Sequence, residues 1–328
     1  MTDGLQHNFQ EVPLKRIDRE NTLTDFSLGA DPEPLAASVR EIGITHPVTL
    51  VATGNHYSVV RGHRRVRLCE KSGRETISAN VLDTKMDEEM MLAANLAENR
   101  CHRQYSDIEK GGILVKLRNA GVPEERIIRK YMPIVGLERS KKLFLDYMNM
   151  ENLGHALKTL LHESNVPLRY FSAMFRWDPE SRTAAEGLFS ILKPGVNKWR
   201  DLLELIDDTA RREGISPSRL FLREDIQSVL NRREASRNEK FDRVCHILYD
   251  ARFPLFSDLQ KKLARTLDRL KLDGRTKVRT PQNFESGEIK IELKFTDEQE
   301  LIEQLEKLSK ASRSETLSEL IRLFKDLR

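Results

Sequence analysis

The sequence has few cysteines, and none of them stands in a metal-binding spacing. Its 328 residues include only Cys69, Cys101 and Cys245, with no CxxC pair. This excludes a disulfide scaffold and a structural zinc site and favours a reducing compartment. No apolar run reaches the roughly 18 residues of a membrane-spanning helix, and the first residues lack the basic and apolar stretches of a secretory signal. We therefore expect a cytoplasmic protein with no membrane contact.

Several common catalytic and binding motifs are also missing. The chain contains no GxxxxGK[ST], HExxH or GxSxG pattern and no EF-hand loop, which excludes the usual P-loop, zinc-peptidase, nucleophile-elbow and calcium sites. What is present is a nearly balanced charge, 55 Lys and Arg against 51 Asp and Glu, with 39% hydrophobic residues. This composition is typical of a globular protein with a heavily charged surface.

The order of apolar patterns predicts an α+β chain that ends in a small separate unit. Two apolar runs around Thr53-Gly54-Asn55 predict a hairpin within a mixed N-terminal domain, and helical spacing dominates the long middle of the chain. The predicted parts are a mixed domain at 9–108, a helical segment at 109–165, a helical domain at 166–272, a linker at 273–287 and a strand-helix-helix unit at 288–328.

The densest basic segment of the first domain is typical of an anion site. Gly62 follows a predicted strand, and a helix starts directly after it. The first turn of a helix presents free N–H groups and the positive end of the helix dipole, and arginine is well suited to phosphate oxygens. The candidate phosphate-binding residues here are Gly62, His63, Arg64, Arg65 and Arg67. The alternative is an ordinary solvated basic turn.

A second polar segment precedes a capped helix. Glu98 and Asn99 carry oxygen ligands of the kind that hold Mg²⁺ beside phosphates. Arg100 and Arg103 are candidates for phosphate contacts, and Ser106 marks a second free helix N-terminus. The alternative is a capped loop between two helices with no ligand.

Taken in order, these motifs resemble the ParB family of partition proteins. The segment from Gly62 to Arg67 is similar to the family's GERRxRA, and Glu98-Asn99, followed by the Ser106 helix, is similar to its ENLQR and P-I-E-E. Upstream, Leu35 to Val39 and Gly43 to Val48 are similar to its L-x-x-S-I and G-x-x-x-P-I/V. The resemblance covers roughly residues 11–165.

This resemblance implies a ParB/sulfiredoxin-like domain that binds CTP with Mg²⁺. Gly62, Arg64 and Arg65 would then hold phosphates, Asn99 the metal, and Glu98 would support hydrolysis. The stretch Thr45, His46 and Pro47 matches the family's base pocket. The sequence leaves open whether the protein is an enzyme. A weak CTPase that acts as a switch is compatible with the resemblance.

The sequence departs from the family pattern at several of these positions. His63 replaces the family's glutamate, Arg100-Cys101-His102 replaces Leu-Gln-Arg, and Asp107 replaces the usual proline. These departures bear on hydrolysis more than on binding, because the glycine and the paired arginines are retained.

Two further segments are candidates for DNA contact. Two helices around Gly136 match the position of the family's helix-turn-helix, with Arg139, Lys141 and Lys142 predicted on the second helix, Glu138 to Met148. A connector that packs only on protein is the alternative. The basic pairs of the middle helices favour a solvated face over a DNA surface.

Residues 288–328 resemble the ribbon-helix-helix family. A unit this small with one strand cannot bury its apolar face alone, so two copies are expected to pair their strands and form a homodimer. The resemblance implies that Lys290, Glu292 and Lys294 face DNA and that Ser314 lies at a phosphate. A unit that only dimerises is the alternative, since acidic residues outnumber basic ones here.

The resulting hypothesis is a homodimeric, DNA-binding protein of plasmid or chromosome partition, or of associated transcriptional regulation, gated by CTP. A partition ATPase is a candidate partner, and an association with the nucleoid or a plasmid would follow. Two alternatives stay open. One is a ParB-like nuclease or nucleotide-dependent kinase built around Glu98, His63 and His102. The other is a dimeric repressor that needs no nucleotide.

Overall fold

The computed structural model describes residues 7–100, 103–272, 274–281 and 288–325. The chain divides into two compact units, Met1–Cys245 and His246–Arg328. The expected α+β class is confirmed, with an N-terminal sheet, a long helical middle and a small C-terminal pair of strands with helices. Cys101 and His102 lie outside the described residues. Across the described ranges, no helix is both long and apolar enough to cross a membrane.

A four-stranded mixed sheet opens the first unit. Its strands are β1 His7–Pro13, β2 Val48–Thr53, β3 His56–Arg61 and β4 Thr76–Leu82, in the order β1-β4-β2-β3. The pairs β1/β4 and β2/β3 are antiparallel, and the central pair β2/β4 is parallel. The β2–β3 pair confirms the predicted hairpin, whose turn has Gly54 at a positive φ of 62°.

Helices cover both faces of this sheet. They are α1 Glu33–Glu41, α2 His63–Lys71 and α3 Glu88–Asn99. Val48, Leu50 and Val59 are buried in the larger core with residues of α1 and α2, whereas Val51 and Val60 are buried with Met91 of α3. Burial on both faces fixes the register of the strands, since a slip of one residue would exchange the two cores.

The rest of the first unit is helical. Its helices are α4 Asp107–Asn119, α5 Glu124–Arg126, α6 Met132–Ile134, α7 Lys141–Met148, α8 His155–Glu163, α9 Leu168–Phe171, α10 Pro179–Leu192, α11 Val196–Glu213, α12 Pro217–Phe221, α13 Glu224–Leu230 and α14 Arg237–Arg252, the last of which contains the boundary between the units. Trp199 is fully buried, and its ring centroid lies 4.2 Å from that of Phe189. Both rings therefore belong to the core of this helical part.

The second helix of the predicted pair around Gly136 begins later than expected and ends at Met148 as expected. A π-helical stretch, Ile127–Tyr131, joins α5 to α6, and Gly136 follows with φ at 77°. Helix α7 begins at Lys141 rather than Glu138, because the Ser140 side chain accepts a hydrogen bond from the Leu143 N–H at 3.2 Å and caps the helix there. Arg139 therefore lies in the loop before this helix, not on it.

The second unit contains α15 Pro254–Arg269, β5 Thr276–Arg279, β6 Lys290–Leu293, α16 Glu298–Ser312 and α17 Glu315–Lys325. Strand β6 pairs antiparallel with β5, so its partner is in the same chain. The expectation that this strand has no partner until a second copy arrives was wrong, because the polar segment 273–287 supplies β5. Residues 282–287 of that segment lie outside the described residues.

Candidate functional site

A left-handed glycine joins the sheet to α2. Gly62 has φ at 105°, a conformation that L side chains rarely adopt, and a Cβ built on it would lie 2.6 Å from Cγ1 of Val48. No side chain caps the start of α2. The chain therefore turns directly from strand into helix and leaves the first N–H groups of the helix without an intrahelical or capping partner.

A cavity of about 650 Å³ lies at this turn. One side is formed by α1 and the loop after it, including Thr45 and His46, and another by the end of α3. The third side comes from the helical segment beyond the sheet, through Arg103, Glu109 and His162. The cavity thus joins the two segments that the sequence analysis treated separately, and its size suits a ligand of several linked groups.

Three arginines of the turn lie in the cavity wall with different partners. Arg61 forms an ion pair with Glu98, and Arg65 donates to the carbonyl oxygens of His46 and of Pro47, the latter at 2.9 Å. Among the described residues, Arg64 has no such bond, and the Nε atoms of Arg64 and Arg61 are buried without a hydrogen-bond partner. A buried donor without a partner is costly, so these atoms favour a bound acceptor.

The electrostatics of these arginines also favour an anion. Burial is the main reason why the pKa of each of Arg61, Arg64 and Arg65 is lowered. The neighbouring charge of Arg103 adds to this for Arg64, and that of Arg61 adds to it for Arg65. Since the positive charges are held together and partly removed from water, an anion in the cavity would relieve their repulsion.

Arg67 lies outside the cavity wall. Its guanidinium pairs with Asp25 and with Asp31, the latter at 3.2 Å, and the Asp31 carboxylate also pairs with Lys71 at 3.1 Å. Burial works against ionisation of Asp25, but His63, which is charged only in the acid range where Asp25 titrates, and Arg67 outweigh it and hold the pKa of Asp25 below the usual value. The structure gives Arg67 the role of fixing the segment 25–31 beside the cavity.

His63 lies in the cavity wall as a neutral imidazole. The Thr24 hydroxyl donates to the Val59 carbonyl at 2.5 Å, so it accepts from Nε2 of His63 at 2.9 Å. The pKa of His63 is lowered to about 4, mainly by burial and further by the charges of Arg67 and Lys116, while Asp25 acts in the opposite direction.

This buried histidine predicts a pH-dependent stability. Between pH 6.5 and about 4 the unfolded chain binds a proton at His63 that the folded chain does not, so stability falls as the pH drops through that window. We expect the free energy of unfolding to lose up to about 3 kcal/mol there, and His63→Gln to remove most of this loss. Urea denaturation at a series of pH values measures both, with the exposed His56→Gln as control; an unchanged slope in His63→Gln would contradict this interpretation.

The end of α3 supplies amides and a carboxylate to the cavity. The Asn95 side chain donates to the Val60 carbonyl at 2.7 Å and is buried. The Asn99 amide donates to the carbonyl and to Oδ1 of Asn95, at 2.9 and 2.7 Å. Both Nδ2 hydrogens of Asn99 are therefore occupied, which leaves its Oδ1 as an acceptor or a metal ligand.

The start of α4 is fixed by a capping box. Ser106 and Glu109 cap each other, and Glu109 also binds Arg103 at 2.6 Å. The Ser106 hydroxyl bonds to Nδ1 of His162 at 2.8 Å, so Ser106 contacts a cavity residue without lining the cavity itself. Asp107, which departs from the family pattern, accepts from Tyr147 Oη and the Leu168 N–H, each at 2.8 Å, and so ties α4 to α7 and α9.

Most of the predicted nucleotide-site residues meet in this one cavity, and a few do not. Its wall includes Thr45, His46, Gly62, His63, Arg64, Arg65, Glu98, Asn99 and Arg103. Arg67, Arg100, Ser106 and the Pro47 side chain lie outside it, although the Pro47 carbonyl binds Arg65. Arg61, which opens the basic segment before Gly62, also lines the cavity. Sequence reasoning missed Thr24, Asp25, Asn95 and His162, which lie outside the motifs we used.

The predicted DNA-contact residues fall in two groups. In the first unit, Arg139, Lys141 and Lys142 are exposed, and Lys141 pairs with Glu124 at 3.3 Å. In the second unit, Glu292 pairs across the hairpin with Arg279 at 2.8 Å, and Lys290 and Lys294 are exposed. Ser314 donates to the Ala311 carbonyl at 2.6 Å. Glu292 and Ser314 are therefore already engaged within the chain.

The fold and this site define an α+β domain with an arginine-lined cavity, continued by a helical chain. Residues 2–100 match the family model of the ParB N-terminal domain. The first part of the chain is therefore a ParB N-terminal domain.

Two curated relatives extend this match beyond the first domain. A probable plasmid-partitioning protein ParB of Thermus thermophilus is 27% identical over 212 residues, which cover 55% of this chain and 69% of the relative. The chromosome-partitioning protein Spo0J of the same organism is 28% identical over 163 residues, covering 50% and 57%. The chain thus spans between about half and two thirds of the length of these relatives.

Among solved structures, the chain is similar to the C-terminally truncated ParB of Caulobacter crescentus complexed with CTP-γ-S. That match has 19% identity, covers 56% of this chain and 99% of that one, and gives a TM-score of 0.25. A superposition at this score does not bear on the function of this chain.

Proposed function

We propose that this chain is a DNA-binding partition protein whose state is gated by CTP. The observation that carries the proposal is the cavity at Gly62, where Arg61 and Arg64 hold buried Nε atoms without partners beside an uncapped helix start. Triphosphate oxygens satisfy all of these donors at once. The loop at Thr45 and His46 also lines the cavity and is the proposed base pocket.

Mg²⁺ fits the same cavity as a partner of the phosphates. Across the described ranges, no group of three or more His, Cys, Asp or Glu side chains is placed to hold a metal alone. Asn99 offers one free Oδ1, and Glu98 stands beside it on α3. One or two protein ligands together with phosphate oxygens is the usual way in which Mg²⁺ is bound. The bound ion would neutralise phosphate charge, while Gly62 and Arg64 orient the chain of phosphates.

Nucleotide binding of this kind predicts a stabilised fold. A ligand at 100 times its Kd adds about 2.7 kcal/mol to the free energy of unfolding, so CTP with Mg²⁺ raises the melting temperature and the other nucleoside triphosphates raise it less. Equal increases in melting temperature with all four nucleoside triphosphates would contradict a pocket that recognises the base.

DNA contact is proposed for the helix pair around Gly136. Arg139 and Lys142 are exposed there and have no ion-pair partner within the described part of the chain, so both are available to phosphates. We expect the double substitution Arg139→Ala and Lys142→Ala to weaken DNA binding about tenfold and to lower the dependence of log Kd on log salt by about 2. Arg200→Ala, which removes an exposed charge paired with Asp201, is the control. An unchanged salt slope in the double variant would remove this helix pair from the DNA interface.

Dimerisation is proposed for residues 288–328. Ile302 and Leu305 on α16 are 45% and 48% exposed, and Phe295 is 52% exposed. Such apolar exposure in a small unit favours a second copy as its cover. We expect the wild type to sediment as a dimer and the variant with Ile302→Glu and Leu305→Glu as a monomer. The control variant Lys310→Glu is expected to remain a dimer. A monomeric wild type at tens of micromolar would refute the dimer.

One assay separates the proposed function from its rivals. DNA fragments from the chain's own genomic neighbourhood are tested for retardation and for cleavage, with and without CTP and Mg²⁺. Retardation that changes with CTP supports the gated partition protein. Cleavage would favour a nuclease, and specific retardation that ignores CTP would favour a repressor that needs no nucleotide.

A further inference from the structure

Arg61 is the one arginine of the turn that is paired with a carboxylate across the cavity. It ends β3, and the pairing of β2 with β3 shifts between Thr49 and Leu50, so that Val60 forms a bulge just before it. A bulge redirects the side chains next to it. Arg61 here reaches the end of α3, where its guanidinium binds Glu98.

The Arg61–Glu98 pair leaves the arginine partly unsatisfied. Its Nε is buried without a partner, although the Glu98 side chain remains 46% exposed. A guanidinium with one bound carboxylate and one free buried donor gains from a second anion. Because Glu98 is half exposed, releasing it to solvent costs little.

We propose that Arg61 is exchanged between two partners: it holds Glu98 in the free protein and binds the triphosphate in the complex, which releases Glu98. The inference rests on the proposed CTP site. In the free protein, the ion pair neutralises a carboxylate that would otherwise repel phosphate. In the complex, the guanidinium moves to the stronger anion, and the freed carboxylate becomes available to the bound Mg²⁺ or to water. Arg61 is thus a positioning residue for Glu98.

A double-mutant cycle tests this exchange. Calorimetry gives the Kd for CTP with Mg²⁺ of the wild type, Arg61→Gln, Glu98→Gln and the double variant. If the pair exists only in the free protein, Glu98→Gln also removes the cost of breaking it. Glu98→Gln is therefore expected to lower the Kd by a larger factor in the wild type than in the Arg61→Gln background. We expect these two factors to differ roughly fivefold. Arg61→Gln alone weakens binding about tenfold.

The cycle separates the exchange from other roles of the two residues. A direct role of Glu98, through repulsion of phosphate or binding of Mg²⁺, changes the Kd equally in both backgrounds and cancels. Equal effects in both backgrounds, or a larger tightening in the Arg61→Gln background, would overturn the exchange while leaving CTP binding intact. No binding by the wild type would overturn the proposed function and the exchange together.

Two controls keep the result interpretable. Arg19→Gln removes an arginine that pairs with Glu70 outside the cavity, and it is expected to keep the wild-type Kd. Arg61→Lys retains the charge and the pair with Glu98, so Glu98→Gln is expected to tighten binding in this background as it does in the wild type, even if Arg61→Gln proves unstable. Melting of each free variant shows whether it is folded before titration.

Discussion

Replacement of Arg64 by glutamine is expected to weaken the binding of CTP with Mg²⁺ at least about 100-fold. Arg64 lies in the cavity wall, and its Nε is buried without a hydrogen-bond partner among the described residues, so this donor is available to a ligand. Charge-assisted hydrogen bonds to an ion are worth about 1.5–3 kcal/mol each, and loss of a bidentate contact removes two of them. Calorimetric titration measures the effect.

The same substitution is expected to leave the free protein folded and no less stable. Burial and the charge of Arg103 both lower the pKa of Arg64, which means that its charged form is disfavoured where it stands. Glutamine removes that repulsion. Arg64→Lys keeps the charge but loses the two-pronged guanidinium. Its affinity for CTP is therefore expected to lie between those of the wild type and of Arg64→Gln. Wild-type affinity in Arg64→Gln would show that the triphosphate is not held at this turn.

Gly62→Ala is expected to lower the free energy of unfolding by about 3 kcal/mol. The residue has φ at 105°, where a side chain costs about 1–2 kcal/mol. The added Cβ would lie 2.6 Å from Cγ1 of Val48 in the core of the sheet domain, and overpacking a core costs a further 1–3 kcal/mol, as a rough range. Chemical denaturation provides the measurement.

Gly73→Ala is the matched control for that prediction. Gly73 follows the other end of α2 with φ at 70°, and a Cβ there would meet nothing within 4 Å. The substitution therefore carries the backbone strain without the clash, and the difference between the two variants isolates the contact with Val48. If both variants lose the same free energy of unfolding, the close contact with Val48 is not the reason why position 62 requires glycine.

Local signals in the sequence predicted the parts of the fold that depend on them. The hairpin at Thr53-Gly54-Asn55, the turn at Gly62 and the Ser106 cap each carry a short-range pattern, and all three are present. By contrast, β5 is a strand of four residues within a polar segment, and it is stabilised by its pairing with β6 and by the packing of Val278 on the apolar cluster around Leu320. No periodicity marks a strand of that kind.

The site was predictable to the extent that its residues belong to contiguous motifs. Gly62, Arg64 and Asn99 meet in one cavity because β3 ends, α2 begins and α3 ends beside it. The partners of Arg67 could not be found in this way, since Asp25 stands 42 residues away and is chosen by tertiary packing. His162 enters from α8 and meets Ser106 over 56 residues, which no local spacing indicates.

The most direct measurement is a calorimetric titration of the folded wild-type chain with each of the four nucleoside triphosphates in the presence of Mg²⁺. The account predicts saturable heat with CTP, and weaker or no heat with the other three. No heat with CTP, from protein shown by its melting to be folded, would contradict it.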